Sequence, residues 1–279
     1  LQHHDIEPLP NGNILCLLTD LYTDVDMIAQ GRDSSQLAST FKLDKLVELQ
    51  PFGNDKANLV WEWKFMDHFV QDFDSTKLNY GSVVSHPELL DLNYANGRNE
   101  DYTHVNALDY NASLDQILLS ARHLNEIYII DHSTTTVEAA GHSGGNANKG
   151  GDFLWRWGNS EVYTKDSSDI QKLFLQHDSK WVESGFLDAG KISVFNNGGD
   201  ASGSMSAVHI IEPSISSGAY GMQNSRFLPS SYDFSWQGTI MGDTLLEGRK
   251  SGVESLANGN VLICESSKGQ ITEVEKQTG

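Results

Sequence analysis

Three histidines stand at matching points of a chain that repeats itself: His4 in His3-His4-Asp5, His104 in His104-Val105-Asn106, and His177 in His177-Asp178. An imidazole titrates close to neutral pH, so it can attack an electrophile, carry a proton or ligate a metal. An extended segment has a period of two, which places His104 and Asn106 on one strand face. One histidine on a strand is usually structural. Three at the same phase of successive repeats make an internal polar cluster, which is costly unless its members are paired or used. Arg122, closing Leu119-Ser120-Ala121-Arg122, adds a guanidinium fork that matches a tetrahedral oxyanion such as sulfate or phosphate. Its fixed charge opposes the rival chemistry, in which His4, His104 and His177 would ligate the metal of a lyase or hydrolase.

Elements must bring these residues together, and the repeat says which. His4 to Pro10, Asn11-Gly12-Asn13 and Ile14 to Leu18 read as strand, tight turn, strand; so do Gly252 to Ala257, Asn258-Gly259-Asn260 and Val261 to Cys264. Asn and Gly supply the positive φ that a primed hairpin turn requires. Looser copies run from His104 to Asp109 then Gln116 to Ser120, and from His177 to Val182 then Lys191 to Phe195. Each unit continues with a third apolar run, starting at Lys45, Glu126, Ala207 and Gln270. Three of them add an aromatic fourth: Leu59 to Trp63, Phe153 to Trp157 and Asp233 to Trp236. Four short strands per unit, in fixed order, predict an all-β chain folded as a β-propeller, with polar residues of each innermost strand converging on the channel. The expected blades cover about 1–66, 102–160, 175–238 and 250–279 of a single domain, the last without its outer strand. Insertions fall at Asp67 to Asp101, with His68, His86 and Tyr94, and in the Gly/Asn-rich loop His142 to Gly151.

The chain has 279 residues and a formal net charge of −19. That acidity repels nucleic acid and anionic membrane surfaces, and no apolar run is long enough to span a bilayer. Cys16 and Cys264 sit in apolar runs one residue apart in phase, which predicts two buried thiols that do not pair. The Trp-x-Trp pairs read as packing between blades. Asp20, Asp24 and Asp26 lack the spacing of a calcium loop and read as a solvated turn.

The ordered set His3 to Asn13, Thr103 to Asn106, Leu119 to Ile127, Gly151-Asp152-Phe153-Leu154-Trp155-Arg156-Trp157-Gly158-Asn159, Gln176-His177-Asp178 and Asn258 to Glu265 resembles the bacterial arylsulfate sulfotransferases. The resemblance touches nearly the whole chain. It implies a six-bladed propeller, of which this chain would hold the later four blades without the final strand. It also implies PAPS-independent ping-pong transfer of a sulfuryl group from an aryl sulfate to a phenol, with no metal and no organic cofactor. Carried over, His177 is the nucleophile that becomes a sulfohistidine. His4 (or His3, one register away) and His104 serve as acid/base or sulfate-binding groups, and Asn106 and Arg122 grip the sulfate. A disulfide found in some members has no counterpart near His177. The family is secreted or periplasmic, which implies an extracytoplasmic protein. A propeller that binds a ligand or builds an extracellular assembly without catalysis is the alternative, since fold does not fix function.

Overall fold

The computed structural model describes every residue except 39, 96, 99, 200, 201 and 277–279. The apolar runs of the repeat form strands because alternating side chains give each a buried face, and turn residues punctuate them. The first sheet is β1 (Gln2–Pro8), β2 (Ile14–Tyr22), β3 (Phe41–Phe52) and β4 (Lys56–Lys64), hydrogen-bonded in that order. The second is β5 (Val105–Asn111), β6 (Gln116–Ala121), β7 (Glu126–Asp131) and β8 (Trp155–Trp157). The third is β9 (His177–Trp181), β10 (Ile192–Asn196), β11 (Ala207–Ile211) and β12 (Phe234–Trp236). The fourth has three described strands, β13 (Gly252–Ser255), β14 (Val261–Glu265) and β15 (Gln270–Val274). Neighbours pair antiparallel throughout, and the chain is all-β.

Consecutive sheets face one another across separate cores. Leu15, Leu17 and Trp63 of the first sheet pack with Leu119, Tyr128 and Ile130 of the second. Leu118, Ile127 and Ile129, on the second sheet's opposite face, pack with Ile192, Val194 and Ile211 of the third. Phe195, Val208 and Ile210 then meet Val253, Val261 and Ile263 of the fourth. The period of two thus serves two cores from one sheet. The Trp-x-Trp residues Trp61, Trp63, Trp155 and Trp157 are buried in these layers, each indole N–H donating to an oxygen, as their reading as packing requires.

Carboxylates tie the first strand of each sheet to the first strand of the next. Asp5 on β1 accepts from the Leu108 N–H on β5 at 2.9 Å, Asp109 on β5 from Trp181 on β9 at 2.6 Å, and Asp178 on β9 from Val253 on β13 at 2.9 Å. A Cβ at position 252 would collide with the Asp178 carboxylate, so any larger residue there would displace the carboxylate that holds the Val253 N–H. Hydrogen bonds to a charged acceptor are roughly twice as strong as neutral ones. They hold β1, β5, β9 and β13 side by side.

Three expectations need correction. Cys16 is only half-buried and Cys264 is exposed. In β14 the thiol alternates with buried Val261 and Ile263, so it lies on the face turned away from the third sheet. The acidic segment is not a turn: Asp24–Gln30 is a short helix, α1, because Thr23 and Asp26 form a capping box, while Asp20 pairs with Lys45. His104 and Asn106 do not lie on a regular strand. His104 has φ +46°, and the β5–β6 register shifts between Val105 and Ala107.

Candidate functional site

The same irregularity recurs near the start of the first strand in each of the first three sheets. His4, His104 and Asp178 have φ of +56°, +46° and +56°, and the inner-strand register shifts at Gln2/Ile6, Val105/Ala107 and His177/Lys180. Bulges re-aim side chains, and His, Asn and Asp tolerate left-handed backbone better than most residues. The repeated kink explains why short polar runs and not apolar ones occupy these positions.

It gathers most of the expected residues. The rings of His4 and His104 meet edge-to-face at 4.9 Å, and His3 meets His4 the same way at 5.0 Å. His3 Nε2 lies 2.8 Å from an Asp44 oxygen, whose partner oxygen accepts from the Val105 N–H and the Thr103 hydroxyl, both at 2.6 Å. His104 Nδ1 lies 2.6 Å from Asp101 Oδ2. Burial opposes ionisation of Asp101, but the hydrogen bond and charge of His104 outweigh it and hold that carboxyl below its ordinary range. Asn106 donates to the backbone carbonyl of Gln176 at 2.8 Å, joining β5 to the residue before His177; its buried Oδ1 has no hydrogen-bond partner among the described residues.

His123 is a member that residue types and spacing did not single out, although it directly follows Arg122. Its ring lies 4.4 Å from that of His104. Nδ1 is 2.6 Å from the Asp101 carbonyl, which can only accept, so the proton sits on Nδ1. Nε2 is then an acceptor, and Arg122 Nη1 donates to it at 2.9 Å. Burial pushes His123 down to about 4, so the ring is neutral near neutral pH. The half-buried Arg122 is thereby aimed by its sequence neighbour.

His177 is buried, and its tautomer is fixed by Asn197. Both amide hydrogens of Asn197 are committed, to the carbonyls of Glu247 at 2.8 Å and Lys250 at 2.9 Å. Its Oδ1 therefore faces His177 Nδ1 at 2.7 Å, and the Leu175 carbonyl is 3.1 Å from the same nitrogen. Two acceptors on one side place the proton on Nδ1 and leave the Nε2 lone pair facing the Lys250 N–H at 3.2 Å. Burial lowers His177 to about 4; Asn197 opposes this, and the charges of Arg122 and His4 reinforce it. His4 is also lowered, by partial burial of its ring and then by His104 and His3.

The structure thus brings the rings of His4, His104 and His123 together, with Arg122 held on His123 and His177 within the fields of Arg122 and His4. It does not assemble His4, His104 and His177 as a metal-binding trio. The ligand-range group here is Asp101, His104 and His123, and both His123 nitrogens are already engaged. These features define an all-β repeat protein in which the first strands of successive sheets bring histidines, Arg122, Asp44 and Asp101 into one hydrogen-bonded cluster. The sequence model of the Arylsulfotransferase (ASST) family matches residues 1–225, and the chain belongs to that family. No curated protein matches it. Family membership supports an enzyme that transfers sulfuryl groups, with small aryl compounds as substrates. No helix among the described residues is long and apolar enough to cross a membrane.

Proposed function

We propose that this protein is a PAPS-independent arylsulfate sulfotransferase, working by a ping-pong route through a sulfohistidine on Nε2 of His177. The observation that carries the reading is the double commitment of Asn197, which leaves His177 neutral with its lone pair on Nε2. In the first half-reaction Nε2 attacks sulfur, the N–S bond forms, and the ester S–O bond breaks with its electron pair leaving on the phenolate. His4 or His104 supplies a proton to that oxygen. In the second half the same histidine takes the proton of an acceptor phenol, whose oxygen attacks sulfur as the N–S bond breaks. His104 is the better supported carrier, because its contact with Asp101 Oδ2, 2.6 Å from Nδ1, fixes the ring and offers that nitrogen a carboxylate partner. Arg122 flanks the position for the sulfuryl group; Asn106, whose amide donates to the Gln176 carbonyl, could donate to a sulfuryl oxygen only through its second amide hydrogen. The guanidinium opposes the charge on its oxygens in a partly dehydrated setting, where such donors act most strongly. Arg122 is itself lowered, by burial and then by the charge of Arg98.

The reading includes the propeller: face-to-face sheets, an innermost strand in each, and carboxylate ties from each inner strand to the next support consecutive blades. The blade ranges given above and the extracytoplasmic location belong to the same proposal; the location rests on the resemblance alone. The test is turnover of an aryl sulfate that releases a coloured phenol, with and without an acceptor phenol. Release that accelerates with acceptor, with the sulfuryl group recovered on the acceptor, is the expected result. Binding without release would sink it and favour a non-catalytic propeller.

A further inference from the structure

Far from the inner strands, the outer edge of the first sheet carries a second group of histidines. His68 follows a single 3-10 turn after β4 and is fully buried, its ring stacked on Trp63 at 5.3 Å with an 8° interplanar angle. Its Nε2 lies 2.9 Å from the Ala139 carbonyl, an acceptor only, so that nitrogen carries the proton. In the neutral ring Nδ1 is then a bare lone pair, yet it lies 2.9 Å from the buried Asp152 Oδ1. The exposed His142 directs its own Nδ1 at the same oxygen from 2.8 Å. Two acceptors held that close repel unless a positive charge lies between them.

We infer that His68 Nδ1, His142 and Asp152 form a binding site for a Zn²⁺-type divalent cation. The three ligand atoms lie within 4.8 Å of one another. Two imidazoles and one carboxylate suit Zn²⁺, and the absence of an all-oxygen set argues against Ca²⁺ or Mg²⁺. Ligands on a tetrahedral zinc sit roughly 3.3 Å apart, so a few tenths of an ångström of movement, available to the exposed His142 side chain, completes the geometry. The His68 Nε2–H bond to Ala139 is the orienting second contact that metal-bound histidines typically make. Gly151 lets the two segments meet, since a Cβ there would strike the Ala139 carbonyl and approach His68 Nε2 and Trp63. Trp63 also donates to the Gly151 carbonyl at 2.7 Å. The cation would staple the segment after β4 to the glycine-rich loop before β8, joining the outer edges of the first two sheets. It serves structure and takes no part in sulfuryl transfer.

The test uses the whole protein, stripped with a chelator and then given Zn²⁺ alone, or Co²⁺ as a spectroscopic probe. One equivalent should bind, with Tm raised by about 5 °C at Zn²⁺ a hundredfold above Kd. Co²⁺ should give the visible bands of a tetrahedral N/O site. His142→Ala alters an exposed side chain, so folding is not at stake; it should abolish both signals, whereas His104→Ala should leave them. No Zn²⁺-dependent shift would overturn the inference and leave His68 and His142 as hydrogen-bond partners of Asp152 only. A shift surviving His142→Ala but lost in His104→Ala would overturn it in favour of the Asp101 cluster.

Discussion

Asn197 Oδ1 lies 2.7 Å from Nδ1 of His177, while both hydrogens of that amide are held by the carbonyls of Glu247 and Lys250. Residues from the turn after β10 and from the segment before β13 thus decide which nitrogen of a β9 histidine carries the proton and which keeps the lone pair that faces the Lys250 N–H. The orientation of the proposed nucleophile depends on the packing of the third sheet against the fourth.

Replacing Asn197 should separate orientation from charge. Asn197→Ala leaves only the Leu175 carbonyl on Nδ1 and should reduce kcat by about tenfold. It also orphans two carbonyls, at a cost of roughly 1–3 kcal/mol. Asn197→Asp keeps an acceptor but adds a negative charge, which favours protonated imidazole and raises its pKa. The acid limb of kcat/KM for the donor should move to higher pH by on the order of one unit. An unmoved limb would remove His177 from the titration that controls the reaction.

His123 holds Arg122 through an acceptor nitrogen, which predicts coupling between them. Arg122→Ala should lower kcat/KM by about 10²–10³, the usual loss for an electrostatic donor to developing charge. His123→Leu preserves bulk but releases the guanidinium, with an expected loss of about tenfold and a rise in KM. The double variant should be little worse than Arg122→Ala alone, because groups sharing one interaction are not additive. Losses that simply multiply in the double variant would rule out the positioning role.

Much of this site was legible in the sequence, and the part that was not has a physical cause. Repeat phase alone nominated His4, His104 and His177, since equivalent positions of stacked sheets converge. The tract ending in Arg122 nominated the anion partner. Strand periodicity then failed locally at His104, because a left-handed residue and a register shift break the period of two. Asp44, Asp101, His123 and Asn197 were not nominated, because their roles depend on which carbonyl or carboxylate lies opposite. That is a property of long-range packing: Asp44 reaches Val105, and Asn197 reaches Lys250. Helix α1 escaped for the opposite reason, its cap being local but masked by an acidic tract that reads equally as turn.

Buried neutral histidines should make the fold acid-sensitive. Burial lowers His209 to about 3, and His123 and His177 to about 4. In the unfolded chain each titrates near 6.5. Between those values the unfolded state binds more protons, so stability is full above about pH 6.5 and is lost progressively as pH falls toward 4. His209 stacks on Tyr232 at 3.7 Å and accepts from Asn196, whose amide also reaches the Lys172 and Gly199 carbonyls. His209→Leu should therefore fold and should reduce the Tm slope between about pH 6.5 and 4.5, one of the four lowered histidines, His4 included, being lost. Thermal melts across that range decide it, and an unchanged slope would mean that His209 does not contribute.

The covalent intermediate is the most direct test of the chemistry. The whole protein mixed with an aryl sulfate and no acceptor should gain one sulfuryl group, stable enough at neutral to alkaline pH for mass spectrometry and localised by peptide mapping to His177. Acceptor phenol should discharge it. His177→Ala should show no adduct and no transfer, because removing a nucleophile closes the two-step route altogether, whereas Arg122→Ala should form the adduct slowly. His4→Ala and His104→Ala should differ in a way that identifies the proton carrier. The carrier's loss should slow both half-reactions for phenols of high pKa and have least effect on a donor whose phenolate leaves without a proton. Normal transfer by His177→Ala would show that sulfur passes directly between two bound phenols, and the lone pair on Nε2 would then need another explanation.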